Sequence, residues 1–116
     1  MISWFKKGVK MELKITDSNF EAEVKESNIP VMIDFYADWC GPCKMMAPLV
    51  AELAENYSGK CKIGKCNTDE NPALSREFKI MSIPTFLFFK DGKLVETVIG
   101  AVSKNELEEK IKQVLA

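Results

Sequence analysis

Histidine is absent from this chain of 116 residues. That absence removes the Cys–His nucleophile pair, Cys₂His₂ zinc sites and imidazole acid–base chemistry together. Charge of one sign is lacking too. The 16 basic and 17 acidic residues are interleaved and leave a net charge of −1. Such a balance offers no basic patch to nucleic acid. No apolar run approaches the roughly 20 residues that cross a bilayer. The opening residues put Trp4 and Phe5 ahead of Lys6 and Lys7 and lack the apolar core and small-residue cleavage site of an export signal. The expectation is a cytoplasmic protein without stable membrane association, in a compartment where thiols stay mostly reduced. There is no glycine motif for a dinucleotide, no internal repeat, no low-complexity tract and no linker.

The length suits one domain, and an apolar content of 47% is enough for a real core. The informative stretch is residues 31–48, VMIDFYADWCGPCKMMAP. Its first six residues form a nearly continuous apolar run, as a central strand covered on both faces requires. Asp34 interrupts that run, and a carboxylate there is costly unless it has a partner or a task. A helix is expected over 40–57, with Met46, Leu49, Val50, Leu53 and Ala54 on its apolar face and a kink at Pro48. Cys40 and Cys43 stand at the start of that helix. Positions i and i+3 share a helix face, so the sulfurs can close a small disulfide ring and reopen it. The unpaired N–H groups and positive dipole end of a first turn stabilise a thiolate, the reactive form of cysteine. Pro42 suits the first turn, and Gly41 admits the close approach of a partner backbone. A C-x-x-C pair taken alone also fits a structural or metal-binding role. Cys61 and Cys66 fall on an expected strand over 61–67, on opposite faces and roughly 16 Å apart. They are expected to be small core residues and not to bond to each other.

Along the chain, an alternating strand pattern follows Met11 at Leu13 and Ile15. Residues 1–10 read as an extension of uncertain status before a single domain over 11–116. Their Trp4 and Phe5 are expected to be disordered or only modestly packed. Ser18 and Glu21 have capping-box spacing for a first helix. Asn71 and Pro72 open a short third helix as N-cap and first helical residue. Phe86-Leu87-Phe88-Phe89 and a strand over 94–99 flank an Asp91-Gly92 hairpin turn. Ser103 and Glu106 cap a last helix with Leu107, Ile111, Val114 and Leu115 inward. The order is βαβαβαββα. Alternating strands and helices favour parallel pairing and the closing hairpin must be antiparallel, so the class is α/β with a mixed five-stranded sheet and helices on both faces.

The hexapeptide Trp39-Cys40-Gly41-Pro42-Cys43-Lys44, behind an apolar strand with an internal Asp34, resembles the active site of the thioredoxin family. The resemblance covers about residues 12–115 and implies the thioredoxin fold. It also implies dithiol–disulfide exchange with protein disulfides. Cys40, on the reachable edge of the turn, attacks; Cys43, one turn deeper, resolves the mixed disulfide. Asp34, its pKa raised by burial, accepts the proton of Cys43, and Lys65 matches a family lysine on the neighbouring strand. Ile83-Pro84 matches the family's cis-proline loop, which faces the cysteines and pairs with an extended substrate. Trp39, Pro42, Ile83 and Gly100 would form an apolar docking patch around Cys40, with Gly41 and Pro84 in the substrate-binding surface. Tyr36 stands where many members carry tryptophan, and a changed fluorescence is the only consequence expected.

The resemblance further implies an electron carrier, acting as a monomer, that needs no cofactor or metal beyond the Cys40–Cys43 disulfide and is recharged by a separate thioredoxin reductase. The same fold also serves disulfide oxidases and isomerases. Against these stand the Gly41-Pro42 pair and the lack of an export signal. A non-catalytic binding module fits poorly with the presence of both cysteines, Asp34 and Lys65.

Overall fold

A computed structural model describes residues 12–116. The extension proposed over residues 1–10, with Trp4 and Phe5, lies outside the described residues. The elements follow the expected order. They are β1 (Leu13–Lys14), α1 (Glu21–Lys25), β2 (Val31–Tyr36), α2 (Gly41–Asn56), β3 (Lys62–Asn67), α3 (Pro72–Glu77), β4 (Thr85–Lys90), β5 (Lys93–Ile99) and α4 (Lys104–Leu115). The sheet order is β1-β3-β2-β4-β5. β1 and β2 pair with β3 in parallel, whereas β4 pairs antiparallel with both β2 and β5. β2 therefore lies at the centre, which is why its sequence is apolar on both faces.

Side-chain alternation along the strands builds two cores. Met32, Ile63, Phe86 and Phe88 meet Val50 and Leu53 of α2 and Leu107 and Ile111 of α4. Val31, Ile33, Phe35, Leu87 and Phe89 meet Phe20 and Val24 around α1 and Leu74 of α3. Gly64 is where β3 lies closest to the chain after β1: a Cβ there would sit 2.6 Å from Ile15 Cγ1, a spacing only glycine accommodates. Cys61 falls in the first core and Cys66 in the second, both as free thiols. The opposite-face expectation holds.

The helix ends depart from expectation in three places. α1 is a single wide turn, closed by Glu26 N–H to Glu21 C=O, five residues back. Its entry is fixed not by Ser18 and Glu21 but by Thr16 and Asn19. The Asn19 N–H donates to Thr16 Oγ1 at 3.2 Å, and the Thr16 N–H donates to Asn19 Oδ1 at 2.8 Å. The reciprocal exchange is that of a capping box, shifted two positions earlier. α3 starts after Asn71 as expected, but Asn71 does not cap it with its side chain. Asp17 does so from far away in sequence, accepting from Ala73 N–H at 3.2 Å and Leu74 N–H at 3.0 Å. Asn71 is instead occupied by the Asp17 N–H and by the Asn67 carbonyl. In α4, Ser103 Oγ accepts from Glu106 N–H as expected, while Leu115, at the helix end, is exposed and not inward.

α2 runs on through Pro48 and ends at Tyr57. The β4–β5 hairpin turns at Asp91 and Gly92, with φ of 54° and 77°. Both residues lie in the left-handed region, as a type I′ turn requires.

Candidate active site

β2 delivers the chain to the site, and α2 begins there. Cys40 is the N-cap of α2, in extended conformation, and Gly41 and Pro42 form its exposed first turn. Cys40 and Cys43 are joined by a disulfide with Cα atoms 5.3 Å apart. The Cys43 N–H donates to Cys40 Sγ at 3.2 Å. An N-cap side chain that accepts from a first-turn N–H is the usual capping arrangement, here with sulfur as the acceptor. On reduction the same N–H and the helix dipole favour negative charge on Cys40.

The two cysteines are equally enclosed, each 4% exposed. The expected contrast of an open Cys40 and a covered Cys43 is therefore absent from the oxidised protein. Both sulfur-bearing residues pack with Ala37, and Tyr36 and Ile83 lie against them. What distinguishes them is their neighbours. Cys40 Sγ lies 3.8 Å from the carbonyl oxygen of Ile83, in the loop where Ile83-Pro84 is cis. Cys43 instead lines a cavity of about 290 Å³ with Asp34, Tyr36, Lys44 and Lys65.

Asp34 is buried, and its Oδ1 has no hydrogen-bond partner among the described residues. Burial pushes its carboxyl from 3.8 up to about 7, against the pull of the Lys65 ammonium and with a further push from Glu12. Loss of solvation outweighs the nearby cation because burial disfavours the charged form of the carboxyl. Lys65 is the direct register partner of Asp34 across the parallel β2–β3 ladder. It nonetheless makes no ion pair with Asp34. Its Nζ stands over the Tyr36 ring, 4.5 Å from the centroid. This contact joins strands and left no local pattern in the sequence.

Of the remaining candidates, Ile83 is the one packed against the two cysteines. Trp39 is 70% exposed and held by its indole N–H, which donates to Asp69 Oδ2 at 2.9 Å. Asp69 is a residue that sequence reasoning missed. Gly100 adjoins the cis-proline loop, its N–H donating to the Pro84 carbonyl at 2.8 Å. Thr85 Oγ1 ties the loop from below, donating to the Ser82 carbonyl at 2.6 Å. Cys61 and Cys66 stand apart from the site, and burial pushes both thiols up to about 12. Among the described residues no group of acidic residues and cysteines could hold a metal ion.

Residues 11–113 match the family model described as Thioredoxin. The chain is 55% identical over 93 residues to "Thioredoxin 1" of Synechococcus elongatus, covering 80% of this chain and 87% of that one. It is 49% identical over 100 residues to "Thioredoxin 1" of a Nostoc species, covering 86% and 94%. It is 49% identical over 108 residues to "Thioredoxin M-type, chloroplastic" of Spinacia oleracea, covering 93% of this chain and 60% of that one.

Proposed function

The chain belongs to the thioredoxin family, and on that premise we propose a division of labour among its residues. The protein is a thiol–disulfide oxidoreductase that reduces protein disulfides through a redox-active cysteine pair. In our reading Cys40 is the nucleophile. Its thiolate attacks one sulfur of a substrate disulfide and forms a mixed disulfide, and the other substrate sulfur leaves as thiolate. Cys43 then loses its proton to Asp34 and attacks Cys40 Sγ. The substrate leaves reduced, and the Cys40–Cys43 disulfide remains. The observation that carries this assignment is the difference in neighbours: Cys40 Sγ lies beside the Ile83 carbonyl, whereas Cys43 lines the Asp34 cavity.

Asp34 suits the acceptor role because a carboxyl raised to about 7 exchanges protons near neutral pH. Lys65 tunes it. Trp39, Gly41, Pro42, Ile83, Pro84 and Gly100 form the substrate surface. The Ile83-Pro84 backbone offers an edge to an extended segment, and exposed Trp39 supplies an apolar wall.

A reductase partner follows from the family, since the oxidised pair must be recharged. We further read the protein as a monomer in a reducing, cytoplasmic compartment, a setting in which the free thiols Cys61 and Cys66 persist. Residues 11–116 form the working domain in this reading, and residues 1–10 contribute nothing to turnover.

A turnover assay tests the assignment, with a disulfide-bonded protein as substrate and dithiothreitol as electron source. The parent and a protein lacking residues 1–10 should reduce the substrate at equal rates, and Cys43→Ser should fail. Full turnover by Cys43→Ser would overturn the resolving role, and a large loss on removing residues 1–10 would place that segment in the site.

A further inference from the structure

Tyr36 enters the site in a way that a bulky amphipathic residue at the end of a strand need not. Asp34 and Tyr36 are two apart on β2, so their side chains leave the same face of the sheet. Lys65 leaves that face from β3, opposite Asp34 in register. Asp34, Tyr36 and Lys65 line one cavity with Cys43. Within it the Lys65 ammonium has one side-chain partner among the described residues, the Tyr36 ring at 4.5 Å. A cation over an aromatic face is held by the ring quadrupole. A lysine without such an anchor disperses over many rotamers and carries its charge into water, where its field is screened.

We propose that Tyr36 is a positioning residue for disulfide exchange: its ring holds the Lys65 ammonium inside the cavity, where that charge acts on Asp34. Other ionisable groups surround Asp34. Glu12, ahead of β1, pushes the carboxyl in the opposite direction. Asp38, in the turn after β2, carries the wrong sign to replace the ammonium. Lys44 and Cys43 come from α2, and β4 contributes only Phe86 opposite Asp34. The ring at this position thus governs how readily Asp34 takes the proton of Cys43. The consequence for catalysis rests on the proposed acceptor role of Asp34, whereas the hold on Lys65 does not.

The test is a double-mutant cycle read on the carboxyl itself. The titration of Asp34 is followed by carbon NMR in the reduced parent, Tyr36→Leu, Lys65→Met and the double variant, with Tyr36→Phe as the conservative control. Leucine also opens the cavity to water, and the Lys65→Met background measures that effect alone. The proposal expects Tyr36→Leu to move the Asp34 midpoint upward by about half a pH unit more in the parent than in the Lys65→Met background. That is about a threefold change in proton affinity carried by the ring–ammonium pair. Tyr36→Phe, which keeps the ring, should keep the parent midpoint, and the pH profile of mixed-disulfide release should follow each carboxyl. An equal displacement in both backgrounds, a larger upward one without the ammonium, or a phenylalanine variant that behaves like leucine would overturn the proposal. Should Tyr36→Leu not fold, Tyr36→Phe and Tyr36→Met decide the matter by the same comparison. Failure of the acceptor reading would show separately, as an Asp34→Asn variant with an unchanged release rate.

Discussion

Asp34 concentrates the electrostatic cost of this site in one carboxyl. Its folded pKa stands at about 7 against 3.8 for the free group, because burial disfavours the charge. The native state therefore binds the proton more tightly than the unfolded chain. The resulting stability is complete below pH 3.8 and is lost as pH rises to about 7, by at most about 1.4 kcal/mol per pH unit. Asp34→Asn keeps the shape and removes the titration. Urea midpoints of the two proteins should converge at acid pH and diverge through this window, the variant being the more stable above it. Release of the mixed disulfide by Asp34→Asn should be slower near neutral pH. A variant that is less stable at alkaline pH and equally fast would make Asp34 a structural residue. The thiols differ on the same physical grounds. Brief alkylation of the reduced protein at neutral pH should label Cys40 and spare Cys61 and Cys66, whose thiols burial holds near 12. Mass spectrometry of the peptides reads the outcome, and preferential label on Cys61 or Cys66 would count against Cys40 as nucleophile. The burial of Asp34 was visible in sequence as a carboxylate breaking an apolar run. The hold of Tyr36 on Lys65 was not, because the contact exists only once β2 and β3 pair.

At the scale of elements, the apolar runs and turn residues were legible and the caps only partly so. β2 and the β4–β5 hairpin lie where their patterns place them, since burial on both faces and an Asp-Gly turn leave a local imprint. Caps depend on which polar group reaches a free N–H in space. Thr16 and Asn19 satisfy each other and displace the Ser18–Glu21 alternative. Asp17 reaches α3 across the fold, a contact for which adjacent sequence carries no signal. Thr16→Ala and Asp17→Ala should each cost about 1 kcal/mol, the usual loss of an N-cap. Ser18→Ala should stay within about 0.5 kcal/mol. Urea denaturation of the three variants checks this, and a Ser18→Ala loss equal to that of Thr16→Ala would restore the later register. Asp17 also lies at the start of a polar chain through Asn71 and Asn67 to Asp69, which holds the Trp39 indole. The cap of α3 is thereby linked to the Trp39 indole.

For the molecule as a whole, the two cores fix the relative placement of β2, α2 and the cis-proline loop, so the disulfide rests on rigid elements and not on a free loop. The overall architecture was readable because strand–helix alternation and one closing hairpin leave few topologies. The burial of Cys40 was not readable, since it depends on Ile83 and Tyr36 closing over the sulfurs. The account stands or falls on the separate tasks of the two cysteines. Its most direct test is to incubate reduced Cys43→Ser with a disulfide-bonded protein and map any covalent adduct by non-reducing mass spectrometry. The account predicts a stable mixed disulfide through Cys40, since no second thiol is placed to release it. An adduct through Cys61 or Cys66, or none at all while Cys40 remains reactive to alkylation, would contradict it.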